Sequence, residues 1–214
     1  MQKVPDETAE NIRLLSESAS AVVPDDGSLD RIRATRFQGS GYSRDVWRTF
    51  AEMGWIGLRV GEGTGGSALG VSEAIALTRL LGAGLVPEPF LPGLLALSLI
   101  EAAGVEDMIG ASVRGDEIVV PAWQSAPNAM DTAGGVSVTG RRLNGSKIAV
   151  AAGADVFAVT TACGLALVPR DAEGLGITQV QMHDGTFRAE MHFDAVACDI
   201  HPCPSMQDCL YEAL

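Results

Sequence analysis

Few residues of this sequence have the type and spacing to do chemistry, and most of them lie in its second half. Lys147 follows Asn144-Gly145 on an apolar stretch holding Leu143, Ile148 and Val150. A single lysine there is either a structural ion-pair partner, the preferred reading, or part of a cofactor site. Trp123 is either a core ring or the aromatic edge of a ligand site, and Ser125 beside it either donates to a ligand or sits in a polar loop. Arg141 and Arg142 have the charge to meet a pyrophosphate, although the end of a hairpin ordinarily carries only solvated charge. Cys198, Cys203 and Cys209 crowd His201, yet no CxxC pair occurs, so the spacing argues against structural zinc. His183, His192 and His201 have no Ser or Cys arranged with them as a triad. The run Gly61-Glu62-Gly63-Thr64-Gly65-Gly66 lacks the Lys-Ser/Thr of a P-loop and any surrounding βαβ unit, and reads as a tight loop between helices.

The totals restrict the partners of these residues. A net charge of −12 and a pI near 4.6 leave a nucleic-acid role without electrostatic support. Phosphates and anionic membranes are repelled except where Arg, Lys or helix N-termini gather. No run of eighteen apolar residues is present, so no membrane-spanning helix is expected. The N-terminus has no charged segment followed by an apolar core, so secretion is not expected and a cytoplasmic location is. At 214 residues the chain has length for one large domain or two small ones.

The elements that must position these residues change character midway. Helices are expected from Asp6 to about Ala21, after Ser28 as a cap, from Ser43 to Gly54, from Ser67 to Leu81, and from Gly93 to Ala103 with Pro92 at its first position. Val46, Trp47, Phe50 and Met53 make one apolar stripe, and the Leu-rich segment from Gly93 reads as the buried centre of a helical unit. A last short helix ends before Gly115. From Glu117 the period shortens to two. Strands are expected near 117–121, 135–139, 146–150, 156–161, 164–168, 177–182 and 186–193, and Asn144-Gly145 reads as the two-residue turn of a hairpin. The fold class is therefore α+β multidomain: an N-terminal all-α bundle over residues 1–115, then an antiparallel β-barrel middle domain over 116–200. Residues 201–214 read as the start of a further helical domain, missing or truncated beyond Leu214.

Five stretches in this order resemble the acyl-CoA dehydrogenase family. They are the Trp47 helix leading into Gly54-Trp55-Ile56-Gly57-Leu58, Val60-Gly61-Glu62-Gly63-Thr64-Gly65-Gly66, and Leu81 to Phe90 with its Pro87-Glu88-Pro89 turn. Gly115-Asp116-Glu117 running to Pro121-Ala122-Trp123, and Leu143-Asn144-Gly145-Ser146-Lys147 followed by Ala154-Asp155, complete the set. The resemblance implies FAD held by the middle domain, an acyl-CoA substrate against it, and α,β-dehydrogenation of that CoA thioester in fatty acid or sterol catabolism. It implies Trp123, Gln124, Ser125, Lys147, Ala149 and Ala151 as the cofactor-binding positions. It also implies a homo- or hetero-oligomer and an electron-transfer acceptor as partners, with no nucleic acid and no membrane. The family's catalytic glutamate comes from its C-terminal domain, so no residue here is assigned as the base.

Two departures stand out. Between Trp123 and Asp131 only Trp123 and Pro127 match the family loop, and Ala149-Val150-Ala151 stands where the family often has Trp-Ile-Thr against the flavin ring. A non-catalytic structural subunit or relic without cofactor is the alternative reading, and a flavin monooxygenase of the same fold a more distant one.

Overall fold

The computed structural model describes residues 6–24, 26–129, 131, 133–203 and 206–213. Met130 of the loop after Trp123, the chain end at Leu214 and the side chain of Cys209 lie outside the described residues.

The helical part comprises α1 (Asp6–Ser18), α2 (Asp30–Thr35), α3 (Arg44–Glu52), α4 (Val71–Ala83), α5 (Phe90–Ala102) and α6 (Glu106–Val113). Ser43 caps α3 through its side chain, which accepts from the Val46 amide at 3.5 Å. Gly54, at φ +72, turns the chain back at the other end, a conformation open to glycine at little cost. Between these ends Trp47 and Phe50 point inward, and the Phe50 ring lies 5.0 Å from that of Trp55 and edge-on to Phe90 at 6.0 Å. α5 buries residues on nearly every side, because α6, α7 (Met206–Ala213) and the first strand all pack against it. It begins at Phe90, so Pro92 is third in the helix rather than first. Its missing N–H still falls among the amides that have no intrahelical partner.

The strands are β1 (Val119–Ala122), β2 (Val136–Thr139), β3 (Arg142–Ala151), β4 (Val156–Thr161), β5 (Gly164–Pro169), β6 (Leu175–Gln181), β7 (Phe187–Ala197) and β8 (Ile200–His201). The expected barrel takes the form of two four-stranded sheets, ordered β1-β4-β5-β8 and β2-β3-β7-β6, with no closure between them among the described residues. All pairings are antiparallel except β1 with β4. That parallel pair is possible because the whole β2–β3 hairpin intervenes, giving the crossover length that parallel strands require.

The first sheet is buried on both faces, since α5 packs on β1 and the second sheet lies behind it, and its strands read as continuous apolar runs. The second sheet alternates: Ala189, Met191 and Phe193 are buried, while Glu190, His192 and Asp194 are exposed.

The hairpin turn is not at Asn144-Gly145. Thr139 pairs with Arg142, so the turn is Gly140-Arg141, with Gly140 at φ +56, and Asn144-Gly145 lies inside β3. The β3–β7 register slips at this point. Asn144 stands opposite two residues of β7, and its Oδ1 accepts the amide of Ala195 (φ +51) at 2.9 Å. Gly145 is at φ +124, and a Cβ there would lie 2.1 Å from the Gly135 carbonyl oxygen. The Asn-Gly signature therefore marks a bulge and a close strand crossing, which demand the same permissive residues as a turn.

Two carboxylates, Glu88 buried and Asp155 half-buried, tie the layers together. Glu88, in the turn before α5, accepts from Arg31 at 2.7 and 3.3 Å and from the Ser43 amide at 3.1 Å. Asp155, before β4, pairs with Arg44 of α3 and accepts the Ile118 amide at 2.9 Å. The first fixes where α5 starts; the second fixes α3 against the sheets.

Candidate functional site

A cleft of about 480 Å³ opens where the first turns of α5 meet the sheets, within the size range of small-molecule sites. Leu91, Pro92 and Leu95 form its helical wall. Pro121, Trp123, Gln124, Ala149, Ala151 and Arg188 form the opposite one. Four of the six residues expected to meet a cofactor thus come together here, two from the loop after β1 and two from β3. Ser125 and Lys147 do not line the cleft.

The local folding explains each placement. Trp123 and Gln124 leave the end of β1, and the Gln124 carbonyl is held by the Ile148 amide at 2.8 Å. Ser125 instead packs against the returning end of the same loop, where Cβ atoms on Gly134 and Gly135 would collide with it. Between Lys147 and Val150 the β3–β7 register slips again, so Ile148 and Ala149 oppose Glu190 alone. Ala149 takes φ +57 and is pushed out toward the cleft by this bulge.

Lys147 is entirely buried. Its Nζ donates to the Trp123 carbonyl at 2.8 Å, the Gly134 carbonyl at 2.9 Å and the Thr160 hydroxyl at 3.3 Å. Its described acceptors are thus not carboxylates but the two ends of one loop, together with β4. Burial lowers its pKa from 10.5 to about 8, the charge of Asp131 working in the opposite direction. The side chain clamps the Trp123–Gly134 loop, and it shapes the cleft wall from behind.

Arg188 and the α5 residues were not legible as site residues. Alternation along β7 assigns Arg188 to the solvent face of the sheet; only the packing of α5 over that end of the face converts it into a cleft wall. Arg141 and Arg142 stay at the hairpin end, exposed, with Arg141 paired to Asp199 and Arg142 donating to the Ala195 carbonyl at 2.9 Å. The glycine-rich segment forms one turn of 3₁₀ helix, Glu62–Thr64, and Gly66 passes close under Val60. Cys163 and Cys198 are free thiols, and among the described residues no three His, Cys, Asp or Glu are grouped as metal ligands.

Comparison with known proteins bears on the fold and the family. Residues 10–108 match the family model described as acyl-CoA dehydrogenase, N-terminal domain. A benzylmalonyl-CoA dehydrogenase of Aromatoleum aromaticum is 30% identical over 181 residues, 75% of this chain and 46% of that protein. The chain belongs to the acyl-CoA dehydrogenase family. Among solved structures, a variant of the Tcur3481-Tcur3483 steroid ACAD superposes with TM-score 0.81 at 25% identity, over 96% of this chain and 62% of that one. A glutaryl-CoA dehydrogenase from Mycobacterium smegmatis in complex with FADH2 shares the fold, with TM-score 0.73 at 18% identity over 98% of this chain and 60% of that one. The chain therefore spans about half the length of its curated relative and about three fifths of these family structures.

The cleft has the features a flavin ring requires: an aromatic side chain, apolar walls and one cation. β3 contributes only backbone and methyl groups there, because Ala149 and Ala151 have nothing to donate. The directional grip these residues offer a flavin ring is thin.

Proposed function

We propose that this chain is the cofactor-holding part of an FAD-dependent acyl-CoA dehydrogenase acting on a CoA thioester. The observation that carries this reading is the convergence of Trp123, Gln124, Ala149 and Ala151 on one cleft beside α5. Bound FAD supplies a hydride acceptor, chemistry that no side chain provides. The chain's own residues bind and orient. Trp123 offers a ring edge, Leu91 and Leu95 exclude water from the helical side, and Lys147 holds the loop that presents Trp123 and Gln124.

No carboxylate lines the cleft. Glu88 and Asp184 border the neighbouring hollow, but Glu88 is engaged by Arg31 and Ser43, and Asp184 by Thr186. The base that removes the α-proton therefore comes from a segment or subunit outside these residues. The solved Tcur3481-Tcur3483 steroid ACAD, named for two components, supports a partner subunit as its source.

The thin grip of Ala149 and Ala151 favours a second reading, a non-catalytic subunit that keeps the fold and leaves flavin to its partner. Titrating the purified chain with FAD, followed by flavin fluorescence and visible absorption, separates the two. Saturable uptake supports the enzyme reading. A chain that stays colourless, alone and together with its partner subunit, sinks it. Bleaching of bound flavin by an acyl-CoA without oxygen then establishes dehydrogenation.

A further inference from the structure

Arg188 is the single charged side chain lining the 480 Å³ cleft, and it also borders an adjoining hollow of about 210 Å³. It is half-buried on β7, opposite Ala151 on one side and Val180 on the other. Neither neighbour can neutralise a guanidinium. Among the described residues no carboxylate forms an ion pair with Arg188. Asp184 is the charge that senses it, and only as a minor influence: the Thr186 hydroxyl and amide, at 2.7 and 2.9 Å, do most to lower that carboxyl's pKa. A half-buried cation without a partner costs stability that a merely structural role does not recover. In a chain of net charge −12 it also creates a local positive spot in an otherwise repelling field. The guanidinium's planar fork matches phosphate oxygens in a way an ammonium does not.

We propose that Arg188 receives a phosphate oxyanion of the ligand that enters this cleft. The proposal rests on the flavoprotein reading for what that ligand is, since both FAD and a CoA thioester carry phosphates. Its physical basis, one unpaired cation in an apolar cleft, stands without that reading.

The test uses wild type, Arg188→Gln and Arg188→Lys, with binding measured for two pairs of probes that differ in phosphate: FAD against riboflavin, and CoA against pantetheine. Arg188→Gln is expected to weaken the phosphorylated member of one pair at least tenfold and to leave its neutral partner unchanged, while Arg188→Lys recovers only part of the loss. A loss with FAD assigns the anion to the cofactor, and a loss with CoA assigns it to the substrate. Equal loss within both pairs, or none, overturns the proposal. A second measurement is independent of flavin and reads the anion on the wild-type protein. Inorganic pyrophosphate is titrated into wild type while the Arg188 Nε resonance, assigned by its disappearance in Arg188→Lys, is followed by NMR. A saturable shift supports the anion site even where FAD fails to bind, in which case only the flavin reading falls. An unmoved resonance overturns the proposal even where FAD binds.

Discussion

Replacing Lys147 by methionine keeps most of the length of the side chain and removes the three hydrogen bonds it donates among the described residues. Two main-chain carbonyls and one hydroxyl lose their partner in a fully buried place. Each such loss costs about 1–3 kcal/mol. Against this stands the desolvation of the ammonium. A pKa brought from 10.5 to about 8 means the protonated form is disfavoured in the fold by roughly 3 kcal/mol relative to the unfolded chain. The two effects largely offset, so global stability at pH 7 is expected to fall by only about 1–3 kcal/mol. The loop behaves differently, because among the described residues nothing else joins the Trp123 carbonyl to that of Gly134 in the same way. Amide exchange over residues 124–135 is expected to accelerate at least tenfold in Lys147→Met, well beyond the change in the core strands.

The pH dependence supplies an independent check. Between about pH 8 and 10.5 the unfolded chain holds a proton that the folded chain has released, so wild-type stability gains up to roughly 3 kcal/mol from this group as pH rises through that window. Below pH 8 both states are protonated and the contribution is flat. Urea unfolding of wild type and Lys147→Met at pH 7 and 10 measures the difference. Unchanged loop exchange together with parallel pH profiles would refute the clamp.

Three further outcomes follow from the same geometry. Gly145→Ala places a methyl 2.1 Å from the Gly135 oxygen at φ +124, and a loss of about 3 kcal/mol or more, with a shifted β2–β3 pairing, is expected by urea unfolding and NMR. Asn144→Ala leaves the Ala195 amide without its acceptor at the bulge, at a cost of about 1 kcal/mol in the same assay, and Asp at this position recovers most of it. Glu88→Gln weakens the contacts to Arg31 and Ser43 that hold the start of α5; with Arg31 partly exposed, about 2 kcal/mol is lost in thermal unfolding. Flavin uptake is expected to weaken along with it.

The order and type of most elements were legible in the sequence because local signals and burial agree there. Ser43 with Val46, Trp47 and Phe50 defined α3, and the alternation of Ala189, Met191 and Phe193 defined β7. Asn144-Gly145 was misread because a turn and a bulge need the same two residue types, and only the strand opposite distinguishes them. Lys147 was placed correctly on its strand, yet its acceptors lie 24, 13 and 13 residues away in sequence, where no pattern reaches. The cleft itself was half legible: its β-wall followed from matching motifs, whereas Leu91, Pro92 and Arg188 became neighbours only through packing.

By itself, then, the sequence determined a run of helices followed by strands and the family motifs that go with them, since propensity, capping and periodicity act over a few residues. The tertiary structure alone decided that the sheets stay two, that a lysine faces inward to close a loop, and that an arginine from a nominally solvent-facing strand position ends in a cleft. Those outcomes depend on which surfaces meet, and the free energy of that meeting is set by side chains far apart in the chain.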